Sequence, residues 1–116
     1  MKIFDCTTFY SEHLMMDLRF NILNDYVEKF IVCESTISHS GKKKKLNFDI
    51  NNYPKFKDKI SYIIIDEEPK DIIGLKNGLA KPHEKRSDSL KRINLSYDYM
   101  IKAIDKASDN DLIMLS

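Results

Sequence analysis

The sequence predicts an α/β domain built on a small parallel sheet, and three observations carry that prediction. Phe30-Ile31-Val32-Cys33 is a continuous apolar run ending in Glu34 and Ser35, the pattern of a strand covered on both faces. Ile60-Ser61-Tyr62-Ile63-Ile64-Ile65 repeats the pattern and ends in Asp66-Glu67-Glu68-Pro69. Two intervening segments carry apolar residues every three or four positions, which is helical spacing. Strands alternating with helices build a parallel sheet with covering helices.

Along the chain, Lys2-Ile3-Phe4-Asp5-Cys6 reads as the first strand and ends in the polar Thr7-Thr8. Ser11 before Glu12 reads as a helix N-cap followed by an acid that complements the helix dipole. Met15, Leu18, Ile22 and Tyr26, widened by Leu14 and Leu23, then mark the buried stripe of an expected helix over 12–27. The second strand, Lys29 to Glu34, follows at once. Ser35 to Lys45 is polar, contains Gly41 and reads as a loop at the carboxyl edge. Leu46-Asn47-Phe48 is expected to be extended, and 51–59 to hold a helical turn or two, with Pro54 tolerated near its start.

The third strand, Ile60 to Ile65, is expected to be buried. Residues 71–85, with Gly74, Gly78 and Pro82, show little periodicity and read as a long loop. Ser87 and Asp88 open a second helix whose stripe is Leu90, Ile93, Tyr97, Ile101 and Ile104, with Met100 beside it. Ser108-Asp109-Asn110 ends it, and Asp111-Leu112-Ile113-Met114-Leu115 is the fourth strand. Tyr97, Tyr99 and Met100 are expected as packing residues. Asp17 and Arg19 are expected as surface or ion-pair residues.

Composition narrows the function classes. A chain of 116 residues forms one domain at most. Its net charge of +1 offers no bulk field for nucleic acid or for a membrane surface. The Lys42–Lys45 run lacks the interleaved aromatics and basic surroundings of a nucleic-acid site and reads as a solvated loop. No apolar run approaches the roughly 20 residues of a membrane span, and Asp5 interrupts any secretory pattern. The default expectation is a cytoplasmic protein. Cys6 and Cys33 are then expected as reduced, half-buried residues. His13, His39 and His83 flank no cysteine pair, so no zinc spacing exists.

Right-handed crossovers and short connections favour the strand order 3-2-1-4. That order reverses between strands 1 and 4, so a ligand crevice is expected there at the carboxyl edge, with strand 2 alongside. Cys6, Thr7, Thr8, Glu34, Ser35 and Ser116 would line it. Within the following loop, Ser40-Gly41-Lys42 could cradle a phosphate through close backbone approach and a point charge, although it falls short of a P-loop. Arg92 could reach a diphosphate or be a surface helix charge.

These edge residues also carry a resemblance. Ile3-Phe4-Asp5-Cys6-Thr7-Thr8-Phe9-Tyr10-Ser11-Glu12 resembles the opening of the family 17 glycosyltransferases, enzymes similar to β-1,4-mannosyl-glycoprotein β-1,4-N-acetylglucosaminyltransferase. The likeness continues through Leu14 to Leu23, with Asp17 where the family usually has Glu. It is clearest at Val32-Cys33-Glu34-Ser35 followed by Ser38-His39-Ser40-Gly41-Lys42-Lys43-Lys44. Lys91-Arg92 resembles a Gln-Arg pair, and Asp111 to Ser116 resembles the strand that enters the metal motif.

The resemblance implies a Rossmann-like half of a GT-A glycosyltransferase fold, with a parallel sheet of about four strands flanked by helices. It also implies a UDP-sugar donor, with UDP-N-acetylglucosamine the family expectation, a glycan acceptor, and a divalent cation, Mn²⁺ or Mg²⁺. Glu34, Thr7, Thr8, Ser35, Gly41, Lys42 and Arg92 would then be donor-nucleotide-binding residues. In the family, the Ser ending this strand leads into an Asp-x-Asp-type motif, whose acidic oxygens suit a hard cation. Here the sequence stops at Ser116, so residues 1–116 are expected to form a single donor-side domain that lacks the metal ligands and catalytic residues and is inactive alone. Two alternatives stand beside this reading: a non-catalytic nucleotide-binding or interaction module derived from such an enzyme, and an unrelated doubly wound domain sharing only the fold. An open edge on strand 4 would also invite self-association through Asp111 to Leu115.

Overall fold

The computed structural model describes residues 1–74, 81–104 and 107–116. Strands β1 (Ile3–Thr8), β2 (Lys29–Ser35), β3 (Ile60–Ile65) and β4 (Leu112–Leu115) form one parallel sheet in the order β3-β2-β1-β4. This is the expected order, and it follows from right-handed crossovers between twisted parallel strands. Helix α1 (His13–Leu23) connects β1 to β2, and α2 (Pro82–Lys102) precedes β4. Single 3₁₀ turns at Ile50–Asn52 and Lys57–Lys59 lead into β3, in the region where helical turns are expected.

Side-chain alternation along the strands sorts residues to two faces. On the α2 face, Phe4 and Cys6 of β1 pack with Ile31 and Cys33 of β2, Ile65 of β3 and Met100 of α2. On the α1 face, Phe30 and Val32 pack with Met16, Phe20, Val27, Phe48, Tyr53 and Phe56. Phe20 is the hub of that second core, its ring 4.7 Å from Phe30 and 5.0 Å from Tyr53 in edge-on geometry.

That hub overturns the stripe expected for α1. Met16 and Phe20 are the buried residues of the helix, whereas Leu14, Met15, Leu18, Ile22 and Tyr26 are all more than half exposed. The helix is apolar on two sides, so period alone does not choose between them. The aromatic cluster of Phe48, Tyr53 and Phe56 chooses the side bearing Phe20. The helix is also shorter than expected. Ser11 does not cap it: Glu12 occupies that position and turns its carboxylate back to accept the Tyr10 and Ser11 N–H groups.

Helix α2 begins earlier than expected, with Pro82 in the first turn, where its missing N–H costs nothing. Its inward line is Asp88, Ser96 and Met100, while Leu90 and Ile101 are half exposed. The buried Asp88 carboxylate, which accepts the Ile73 and Gly74 N–H groups, sets this rotation. Residues 75–80, including Gly78 of the expected loop, lie outside the described residues, as do 105–106. Strand β3 is buried at Ile60 and Ile65 but exposes Ile64, because it is an edge strand. Cys6 and Cys33 are free thiols and fully rather than half buried.

Candidate functional site

A cavity of about 620 Å³ opens at the carboxyl ends of β1, β2 and β3. Its floor is Thr8, Cys33, Ser35 and Ile65, all from the strand ends, and one wall is Arg92, Leu95 and Ser96 of α2. The opposite wall is a hairpin that leaves β2, closed by a bridge between Ile37 and Lys43. Its turn is held by Gly41 N donating to Ser38 O at 2.9 Å and Ser38 N donating to Lys42 O at 2.8 Å. Gly41 takes φ +90° there, a conformation that costs glycine little. Ser38, Ser40, Lys42 and Lys43 line this wall, the Ser38 and Ser40 hydroxyls 2.9 Å apart, and Tyr10, Glu12, Glu67 and Glu68 complete the lining.

The structure divides the residues singled out in the sequence. Thr8, Ser35, Lys42 and Arg92 meet around this cavity. Thr7 does not: it is one position out of phase with Thr8, and it lines an apolar groove of about 440 Å³ beside Met15, Leu18 and Ile22 of α1. Gly41 lies behind the Arg92 guanidinium, where an added Cβ would fall 2.8 Å from Nη2. Ser116 is also elsewhere. Arg19 binds the buried Asp5 carboxylate with two nitrogens and donates to Ser116 Oγ at 2.9 Å. The cavity lies over the ends of β1, β2 and β3, with no β4 residue in its lining, and not in the expected crevice between strands 1 and 4.

Glu34 is placed by the same alternation. It shares a face with Phe30 and Val32, away from Cys33 and Ser35, and is 1% exposed. Its oxygens accept from Lys44 Nζ at 2.7 Å, Tyr62 OH at 2.6 Å, Asn47 N at 2.7 Å and Phe48 N at 3.0 Å. Burial by itself would raise its pKa, but the hydrogen bonds from Lys44, Tyr62 and the two backbone amides outweigh it and hold the carboxyl below its ordinary value. Burial, followed by the bond to Glu34, raises the Tyr62 phenol. All four acceptor positions are thus taken by protein donors, and Glu34 acts by pinning residues 44–48 against the sheet.

Lys44 therefore differs from its neighbours in the lysine run. It bridges Glu34 and the Ser35 carbonyl, with its ammonium 5.4 Å from the centre of the Tyr10 ring. The run is not uniformly a solvated loop: all three of Lys42, Lys43 and Lys44 line the cavity, but Lys42 and Lys43 are exposed whereas the Lys44 side chain is 10% exposed and turned inward to Glu34. Sequence reasoning missed Tyr10, Ser38 and Lys43 as cavity residues. A buried strand ending in a carboxylate was itself a signal that a nearby lysine had to turn inward.

A family model for glycosyltransferase family 17 matches residues 1–116. The chain belongs to glycosyltransferase family 17. No significant match was found among curated proteins or among solved structures. As a family 17 glycosyltransferase domain, the chain has a parallel sheet with a cavity at its carboxyl edge, the position at which ligands bind in open α/β sheets. Among the described residues, no group of three or more His, Cys, Asp or Glu could hold a metal ion. The cavity's own acids are engaged, Glu12 by the Tyr10 and Ser11 N–H groups, Glu67 by Tyr99 OH and Glu68 by Arg92. The described residues therefore do not fit the divalent cation that the family resemblance implies. Among them, no helix is long and apolar enough to cross a membrane.

Proposed function

We propose that the carboxyl-edge cavity binds the nucleotide part of a UDP-sugar, with UDP-N-acetylglucosamine the favoured donor, for transfer of the sugar to a glycan acceptor. The observation that supports this is the placement of the Ile37–Lys43 hairpin. It brings two exposed lysines, Lys42 and Lys43, into the lining of the same cavity as Thr8 and Ser35 in a family 17 glycosyltransferase. Lysines at a glycine turn bind phosphate as point charges. The hydroxyls at the strand ends and the Tyr10 ring are suited to a ribose and a base.

Donor recognition is thus divided between two parts of the cavity. The hairpin supplies charge for the diphosphate, and the strand ends supply hydrogen bonds for the nucleoside. Glu34 contributes indirectly, by fixing Lys44 over the Tyr10 ring and holding the segment that follows.

Isothermal calorimetry with UDP tests the reading. Replacing Lys42 and Lys43 together with alanine should weaken UDP binding about tenfold or more, a loss of about 1.4 kcal/mol. Lys55→Ala, an exposed change outside the cavity, should leave it within about twofold. Absence of UDP binding to the wild-type chain, or equal binding by the double variant, would overturn the assignment.

A further inference from the structure

Arg92 joins three elements around the cavity. Its Nη1 donates to the His39 carbonyl at 2.9 Å, at the tip of the hairpin, and Ser89 Oγ donates to the same carbonyl at 2.8 Å. Its Nε donates to Glu68 at 2.9 Å, which ties the segment after β3 to α2. The guanidinium then lies against Gly41, so closely that a methyl group there would sit 2.8 Å from Nη2 and 3.1 Å from Cζ. The side chain is only 11% exposed, which is unusual for a cation reaching for a ligand.

We propose that Arg92 is a positioning residue, which locks the hairpin onto α2 so that Lys42 and Lys43 face the cavity. The consequence for ligand binding rests on the nucleotide reading of that cavity; the lock itself does not. A planar fork is needed, since Nε and Nη1 serve Glu68 and His39 in different directions while the plane packs on Gly41. Lysine keeps the charge but supplies neither the fork nor the flat face. This separates positioning from contact: a residue that merely attracted phosphate would be largely rescued by Arg92→Lys.

The test combines hydrogen exchange with UDP titration. In both Arg92→Lys and Arg92→Ala, exchange of the Gly41, Lys42 and Lys44 amides should rise about tenfold or more, while the Ile31 and Cys33 amides keep wild-type protection. UDP affinity should fall in both, and neither change should cost anything further in a Lys42→Ala/Lys43→Ala background, because the lock acts through those lysines. Ser89→Ala, which removes the other donor to His39 and leaves Arg92 in place, should show a smaller rise at the same amides. Wild-type exchange in Arg92→Lys, or an undiminished loss of UDP affinity in the lysine-free background, would overturn the proposal. If the wild-type chain fails to bind UDP, the nucleotide reading falls alone, and the exchange result still decides the lock.

Discussion

Removing the Glu34 carboxylate should be among the most damaging single changes available to this chain. The side chain is fully buried, and its ion pair with Lys44 spans 2.7 Å with side-chain exposures of 0% and 10%. Glu34→Ala strands the Lys44 ammonium and leaves Tyr62 OH and the Asn47 and Phe48 N–H groups without their acceptor. Breaking a buried pair from one side costs about 3–5 kcal/mol. For a domain of this size, that lowers Tm by about 12–20 °C. Glu34→Gln keeps an oxygen for Phe48 N and Tyr62 OH, but turns an amide donor toward Lys44 and Asn47 N, and should lose about 3 kcal/mol.

The pH dependence supplies a second check on the same residue. Because the folded protein holds Glu34 below its ordinary pKa, the unfolded chain binds more protons in acid and stability rises with pH. The contribution is therefore present above the unfolded pKa, about 4.3, and is lost as pH falls through the folded value. Urea melts followed by circular dichroism at pH 7 and at pH 3 should show the gap between wild type and Glu34→Gln shrinking in acid. The double change Glu34→Ala/Lys44→Ala should cost less than the sum of the two singles by about 1–3 kcal/mol, since neither charge is then left alone. A loss under about 1 kcal/mol for Glu34→Ala, no larger than at a surface acid such as Glu28, would refute the reasoning.

Two further outcomes follow from the packing and from the thiols. Phe20→Ala should destabilise the chain by about 3–5 kcal/mol, whereas Leu18→Ser on the exposed side of α1 should stay within about 0.5 kcal/mol; comparable losses in chemical denaturation would put the core on the wrong side of the helix. Burial, with the nearby Asp5 charge adding to it, pushes the Cys6 thiol up to about 11, and burial followed by Cys6 pushes Cys33 to about 12. Neither should react with iodoacetamide at pH 8 until the chain is unfolded, and native-state labelling seen by mass spectrometry would contradict the burial.

The existence of the four strands and their parallel order were legible because each run is short, apolar and bounded by turn residues, and because crossover handedness leaves few arrangements. The helices were legible as helices but not in their rotation. On α1, the lines Leu14-Leu18-Ile22 and Met16-Phe20-Leu23 have equally good spacing, and only Phe48, Tyr53 and Phe56, brought over from another part of the chain, decide between them. On α2, the Asp88 carboxylate turned inward because Ile73 and Gly74 offered it backbone donors, a contact that no periodicity reports.

The candidate site divides along the same line. The sequence alone determined that Thr8, Ser35 and Lys42 would stand at the carboxyl edge, since strand ends and their loops must lie there in a parallel sheet. Which face each strand-end residue reaches depends on the phase of the pleat relative to the layers above and below, and that phase was decided by tertiary packing. It put Thr8 and Ser35 into the cavity, sent Thr7 and Glu34 to the other side, and bound Arg92, which the sequence offers as an arm for phosphate or a surface helix charge, to Glu68 and the His39 carbonyl at the cavity wall. A one-residue offset along a strand reverses a side chain's direction, whereas the hydrophobic run that marks the strand is unchanged by it.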